Sequence, residues 1–416
     1  MKNRSVRSRS GSGLVILLIV FGAAPSAWAR PEYAVKENMK CAACHVNPWG
    51  GGPRTVFGKV YGSRNLGLAK TSSSDLFYGD MRTIAFFPTV QNPVKGGAGV
   101  ALMEAAASVN VPILQNSESG SELRGVATYN FAPLMVPGEP GVREAYLRYR
   151  PFSNDNQLLS YVMVGRFNAP FGLLTDEHRT YTRLETNMTL NDFEEGVAFS
   201  GDPLSSFHYD LALVNDFQQG GGGFDITNAQ VQAIYGEILN LRWSPSSLPF
   251  FLGASENFER TIAIPSPSAF SLYGALSFDR LTNHVVHLSL LAETVFANNW
   301  NNMNANPQIG PFFIPGSDTG YQTALATAHS NGYYIWLRYT LFPSLDLIYK
   351  FDDLIPNGDA GGDYFVRHGL GFEYWINSNL ILDCRAEKAF VGRPEIQNTN
   401  VFAAEDDVLA MLRLWL

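Results

Sequence analysis

Leu345-Asp346-Leu347-Ile348-Tyr349-Lys350-Phe351-Asp352 alternates over its whole length. Successive side chains of an extended chain point to opposite faces, so Leu345, Leu347, Tyr349 and Phe351 share one side. Asp346, Ile348, Lys350 and Asp352 share the other. One face suits an apolar medium and the other suits water. The same period of two runs upstream, where Tyr333, Ile335, Leu337 and Tyr339 oppose Tyr334, Trp336, Arg338 and Thr340. It runs downstream as well, with Val366, His368, Leu370, Phe372 and Tyr374 against Arg367, Gly369, Gly371 and Glu373.

A half-buried strand of a soluble sheet would alternate in the same way, so the connections must decide. Phe342-Pro343-Ser344, Asn377-Ser378-Asn379, Asp202-Pro203-Leu204-Ser205 and Ser244-Pro245-Ser246-Ser247 are short and built from turn residues. Between them fall long stretches, Asn168 to Phe193, Phe217 to Ala229, Asn298 to Asn331, Asp353 to Asp363 and Phe390 to Phe402. Short turns on one rim and long loops on the other are the habit of outer-membrane β-barrels. One strand between each pair of connections, from about Phe77 to the last strand Asp407 to Leu416, gives 16, with 14 and 18 as the alternatives. The fold expected is thus all-β, a transmembrane antiparallel barrel over residues 77–416. An even count leaves both barrel ends on the periplasmic side.

Composition agrees. Charged residues are 16% of the chain, against about 25% in soluble proteins, yet no segment after the first residues has the uninterrupted apolar length of a spanning helix. Aromatic residues at 13% and 38 glycines fit lipid-facing strands better than helices. Three cysteines are too few for a disulfide scaffold.

At the start, Lys2, Arg4, Arg7 and Arg9 precede an apolar run from Leu14 to Ala24, closed by Ala27-Trp28-Ala29. This is the pattern of a signal peptide, with cleavage expected after Ala29. Pro25 interrupts the run well short of the roughly 20 residues that a membrane helix needs. Removal of residues 1–29 takes away four positive charges and no acids, moving the formal charge from −8 to −12. So acidic a chain is no nucleic-acid binder.

Residues 30–76 do not alternate and are read as a separate periplasmic segment. Within it stands Cys41-Ala42-Ala43-Cys44-His45, a complete C-x-x-C-H motif, the signature of c-type haem attachment. Two thiols at this spacing can each join one vinyl group of a single haem, and the next residue sets an imidazole under the iron. Cys41 and Cys44 are therefore the expected covalent anchors and His45 the axial iron ligand. Three other readings compete. A zinc site needs further ligands nearby, but the next histidine is His178. A thioredoxin-like pair needs a βαβ context that is missing. A Cys41–Cys44 disulfide would suit an oxidising periplasm.

Pro48 and the glycines Gly50 to Gly52 end any helix after His45 and allow backbone to approach a flat macrocycle closely, or simply form a turn. Between Arg30 and Asp75 seven Lys and Arg face three acids, a positive stretch that suits haem propionates, an acidic partner or plain solvent. For the sixth ligand, His208 is the candidate, as a lumen-facing histidine near the periplasmic rim. Met81 is a second, and an open or water-ligated iron also satisfies the chemistry.

Two resemblances extend this reading. Lys40 to Arg54 resembles the K-C-x-x-C-H-x-N-P-x-G-G-G-x-R stretch of single-haem cytochrome segments that precede outer-membrane barrels in bacteria practising respiratory electron transfer. Gly165-Arg166-Phe167-Asn168-Ala169-Pro170-Phe171-Gly172-Leu173 resembles the G-x-F-x-x-P-F-G-L segment of phosphate-selective-type porins. Arg367 to Tyr374, followed by Asn377 to Leu382, is similar to their penultimate hairpin. That family implies a trimeric or monomeric diffusion channel. The chain departs from it at Leu416, where such barrels end in an aromatic and Trp415 comes one place early.

Phosphate selectivity does not carry over. The expected lumen set holds Arg148, Arg150, Arg338, Lys350, Arg367 and Arg385, mixed with Glu144, Asp210, Glu293, Asp346, Asp352, Glu373, Asp383 and Glu387. Cys384 falls with the lipid-facing Leu380, Leu382 and Ala386, as an apolar filler.

The first expectation is one-electron transfer at the outer membrane through one covalent haem c on a porin-like barrel, with the haem segment on the periplasmic side. A single haem cannot cross about 30 Å of hydrocarbon alone. Besides membrane lipids, the expected partner is thus a periplasmic or barrel-enclosed cytochrome. The alternative is a diffusion porin for small solutes in which the haem segment is plug or sensor. Asn168 to Phe193 discriminates, because folded inward it constricts a pore. A catalytic cytochrome would need distal acid-base residues, and none follows His45.

Overall fold

The computed structural model describes residues 34, 37, 39–49, 54–55, 57–58, 61, 76–88, 99–116, 118–132, 141–152, 158–175, 177, 180–186, 193–215, 233–245, 248–261, 266–298, 329–342, 344–355, 364–377, 380–391 and 407–415. The expected signal peptide at 1–29, the glycines 50–52, His178 and Leu416 lie outside them.

Sixteen strands form one closed antiparallel barrel. They are β1 (Phe77–Pro88), β2 (Gly99–Gln115), β3 (Glu122–Asn130), β4 (Gly141–Arg150), β5 (Tyr161–Asn168), β6 (Phe193–Leu204), β7 (Phe207–Asn215) and β8 (Ala233–Trp243), then β9 (Phe250–Thr261), β10 (Ser268–Ser277), β11 (Leu288–Asn298), β12 (His329–Phe342), β13 (Leu345–Ile355), β14 (Phe365–Asn377), β15 (Leu380–Val391) and β16 (Asp407–Trp415). Each strand pairs with its sequence neighbours, and β16 returns to β1 in register from Asp80 opposite Trp415 to Pro88 opposite Asp407. Closure leaves no unpaired sheet edge, the condition for a sheet to stand in hydrocarbon.

The alternation predicted from sequence is the alternation observed. On β13, Asp346, Ile348, Lys350 and Asp352 are buried, whereas Leu347 points outward and is exposed. On β14, Arg367 and Glu373 are buried and Leu370 and Phe372 are exposed. The buried face is thus the lumen face, and the outward face is apolar. Inward charges do not stand alone: Arg338 pairs with Glu373 at 2.7 Å, Lys350 with Asp352 at 3.0 Å and Arg82 with Glu104 at 3.0 Å. Arg413 of β16 reaches Asp80 of β1, tying the closing seam from inside.

Several boundaries differ: β13 runs on to Ile355, β15 runs on to Val391 and β12 already begins at His329. The turn read at Asp202 to Ser205 is tighter, because β6 continues through Asp202 to Leu204 and only Ser205 and Ser206 turn. Pro203 is tolerated there because the register shifts between Gly201 and Leu204, where no ladder donor is needed.

Candidate functional site in the barrel lumen

Cys41-Ala42-Ala43-Cys44 forms one helical turn, α1, closed by the His45 N–H donating to the Cys41 carbonyl at 2.9 Å. Residues three apart on a helix are neighbours, so both thiols lie on one side of the turn. His45 is already extended and pairs with Arg54 as an isolated bridge. The returning strand is pinned by the Thr55 N–H to the Cys44 carbonyl at 3.0 Å and the Thr55 hydroxyl to the Ala43 carbonyl at 2.7 Å. Gly58 follows at a place where a Cβ would lie 2.1 Å from the Cys44 carbonyl oxygen, so only glycine fits. Tyr61 donates to Glu37 at 2.7 Å. Lys40 to Trp49 runs one way and Arg54 to Tyr61 returns, a finger of two arms.

The described residues of the segment read at 30–76 contribute no strand to the barrel, and this finger packs on the inner wall. Lys40 pairs with Asp202 at 3.2 Å, near the short-turn end of β6. Arg242, beside the short-turn end of β8, donates to Cys41 Sγ at 3.5 Å. Farther in, Arg148 of β4 donates to the Val46 carbonyl. The Trp49 indole donates at 3.0 Å to the carbonyl of Asn168, the last residue of β5, and meets the Phe167 ring edge-on. The finger therefore enters from the short-turn mouth and reaches the far end of β5. His45 is 8% exposed, Val46 1% and Trp49 5%. Burial of so much apolar surface, rather than the single turn of helix, holds the finger in place.

Cys41, Cys44 and Cys384 are free, all half-buried. Burial pushes the Cys44 thiol up to about 11, with the neighbouring Cys41 adding to the rise and Arg54 opposing it. Among the described residues no group of three or more His, Cys, Asp or Glu side chains is placed to hold a metal ion.

His208 is inward-facing and buried near the short-turn rim. Both its ring nitrogens are committed, Nδ1 to Asp202 at 2.9 Å and Nε2 to Asp210 at 3.0 Å. Binding iron would require it to give up one carboxylate. Met81 is a correction: it is 40% exposed on the outer face of β1, between the inward Asp80 and Arg82, and points away from the lumen.

The second occupant of the lumen is the connection between β5 and β6. Its apolar part, Ala169, Phe171 and Leu174, packs with the inward Ala198, Ala212, Val214, Ile238, Ala269, Val295 and Ala297. Small wall residues leave room for it. Leu173 N–H then donates to Glu293 of β11 at 2.9 Å. Glu177 pairs with Lys350 of β13 at 3.6 Å and with Arg385 of β15. Helix α2 (Tyr181–Thr186) follows, with the Arg367 guanidinium 4.6 Å over the Tyr181 ring. Since β13 is eight strands from β5 in a closed ring of sixteen, these contacts exist only because the chain crosses the lumen.

Arg242, Trp49 and Glu177 were not singled out from sequence. Arg242 had a usable signal, since it alternates with the outward Leu241 and Trp243 on the inward set of Ile238 and Asn240. Glu177 had none, lying in a connection without periodicity.

No protein-family model matches the chain, and no curated protein matches it. Solved structures do. The outer membrane channel DcaP of Acinetobacter baumannii aligns over 84% of this chain and 100% of its own, with TM-score 0.55 and 10% identity. OprB of Pseudomonas putida covers 82% of this chain and 93% of its own, with TM-score 0.56 and 10% identity. The anion-selective porin from Comamonas acidovorans covers 82% and 98%, with TM-score 0.55 and 10% identity. At such identity the likeness is one of fold: the chain has the sixteen-stranded barrel of outer-membrane porins.

Proposed function

We propose that the chain is an outer-membrane channel of porin type, its lumen narrowed from the long-loop side by the β5–β6 connection and stoppered from the periplasmic side by the Cys41–His45 finger. The observation that carries this reading is the Glu177–Lys350 pair, a contact across the full width of the barrel. A connection held there leaves a restricted path of the kind that passes small solutes. The paired charges along the wall give the path no single sign. Ion conductance in planar bilayers tests it, comparing the mature chain with one lacking residues 30–76. Removal of the finger is expected to raise conductance several-fold; unaltered conductance would sink the stopper.

A second reading, one-electron transfer, is favoured by two free thiols on one turn with a buried imidazole next in sequence. This donor set fits a c-type haem, held by thioethers at Cys41 and Cys44 and by His45 at iron. When bound, the group supplies a one-electron couple. Arg242 and Arg148 hold the peptide on either side of the motif, and Lys40 fixes its start on Asp202. With finger and connection both inside the wall, a redox partner belongs at the periplasmic mouth rather than within the barrel. Haem staining of a denaturing gel tests this reading: the mature chain should stain and a Cys41→Ser Cys44→Ser variant should not.

A further inference from the structure

The outward face of a barrel wall meets hydrocarbon, and a charge there is costlier the nearer it lies to the middle of the bilayer. The outward rows of β10, β11 and β12 carry no Asp, Glu, Lys or Arg. Asp353, His368 and Lys388 on β13 to β15 face outward, but within three residues of the long-loop ends of their strands, where headgroups lie. One sector breaks the rule. Arg166 on β5, Glu195 on β6, Glu237 on β8 and Glu256 on β9 all face outward. Glu256 stands between the buried Ser255 and Asn257, and is the middle one of the five outward residues from Leu252 to Arg260. Glu237 and Glu256 are exposed, and among the described residues no cation is paired with either. Arg166 meets Glu195 at 3.5 Å, with 61% of the Glu195 side chain still exposed.

The register puts these four at one depth. Rows of directly paired residues climb toward the long-loop side as strand number rises: the row through Tyr209, near the turn end of β7, arrives at Val366, near the loop end of β14. Arg166 pairs with Glu195 and Glu195 with Asn215, whereas Glu237 pairs with Leu213 and Glu256 with Leu239. At about 3.4 Å per residue and a tilt of about 40°, the climb cancels these offsets and leaves all four within about 5 Å of one level. Outward Tyr235 and Trp243 bracket that level from the loop side and the turn side, so it lies inside the apolar band.

We infer that this sector is a contact between copies of the chain, in which Arg166 of one copy is set against Glu237 and Glu256 of the next. Rotation about the membrane normal preserves depth, so groups at one level in one copy stay at that level in every copy. The cationic flank on β5 and the acidic flank on β8 and β9 are thereby complementary. The β5–β6 and β8–β9 pairs lie three strands apart in a ring of sixteen. That is about 68° of the circumference, near the roughly 60° that separates the two contacts of each member in a closed ring of three. A two-fold contact centred on β7 would instead leave both flanks where the curved walls diverge. Arg166 can take a second carboxylate besides Glu195, because a guanidinium carries five N–H donors. Between the flanks, Leu211 and Leu213 of β7 are exposed and apolar, as suits a strip left to lipid. No residue of the Cys41–His45 finger takes part, so the contact is independent of both readings above.

Two measurements on the full mature chain test the contact. Sedimentation in mild detergent should find the parent as an assembly of three chains. Arg166→Glu and Glu256→Arg should each raise the concentration of half-dissociation at least about tenfold, with the heat-modifiable gel mobility of a closed barrel retained. The double exchange Arg166→Glu Glu256→Arg should restore the assembly. A parent that sediments as one chain, an assembly indifferent to both single replacements, or one that forms only with a different protein overturns the inference. The second measurement locates the contact in cells, in Cys384→Ala protein treated with a short bis-maleimide. Arg166→Cys combined with Glu256→Cys should give covalently linked chains, and neither cysteine alone should. Linkage by a single cysteine would show a two-fold contact, and no linkage by the pair would show the sector to face something other than a second copy; either result overturns the ring.

Discussion

At the scale of single residues, Gly58 and Cys44 show how tightly the finger is specified. A methyl group on Gly58 would meet the Cys44 carbonyl at 2.1 Å, and backbone cannot yield as a flexible side chain would. Gly58→Ala is therefore expected to lift the return arm off α1 while leaving the strands unaffected. Limited proteolysis should then cut between residues 54 and 61 with barrel β-structure unchanged in circular dichroism; an uncut finger would refute the packing. Cys44 in haem-free protein carries a thiol raised from 9.0 to about 11 by its burial. A group whose folded pKa is raised contributes stability that is fully present below the unfolded value and lost as pH climbs through the folded one. Docking of the finger should thus weaken between pH 9 and 11. The pH profile of Cys44 alkylation, taken in Cys41→Ser Cys384→Ala protein, should have its midpoint above 9, held there by burial, and below the 11 that Cys41 helps to set; a midpoint near 9 would show the thiol to be solvated.

Among elements, the β5–β6 connection is held by buried charge as much as by apolar packing. Lys350 is 0% exposed and faces Asp352, Glu177 and Glu387. Replacing it with Met leaves those carboxylates short of a cation, and breaking a buried pair by removing one partner costs about 3–5 kcal/mol. Lys350→Met should accordingly lower the midpoint of denaturant unfolding and free the connection. Glu177→Gln removes only the connection's own charge, and should release the crossing with a smaller loss of stability and a rise in conductance. If both variants conduct as the parent does, the crossing is not what limits the pore.

For the whole molecule, every strand pair among the described residues, including the β1–β16 seam, lies within residues 77–415. The finger packs inside this ring without contributing a strand to it. A chain lacking residues 30–76 is therefore expected to fold to a closed barrel with full β-sheet content and heat-modifiable gel mobility. Failure to close would mean that the finger is a folding template rather than an occupant.

The barrel was legible from Leu345 to Asp352 outward, because a strand between water and lipid writes its two environments into alternate residues. That local rule recovers sixteen strands, the inward placement of Lys350, Arg367 and Glu373, and the outward placement of Leu370 and Cys384. Cys41, Cys44 and His45 stand out separately, by their spacing along the chain, as a candidate site. Where the motif goes was not legible. Trp49 finds Asn168, Arg242 finds Cys41 and Glu177 finds Lys350 across separations of 119, 201 and 173 residues, brought together only when the ring closes. No periodicity encodes such meetings; they follow from the volume inside the wall and from buried charges that must find partners there.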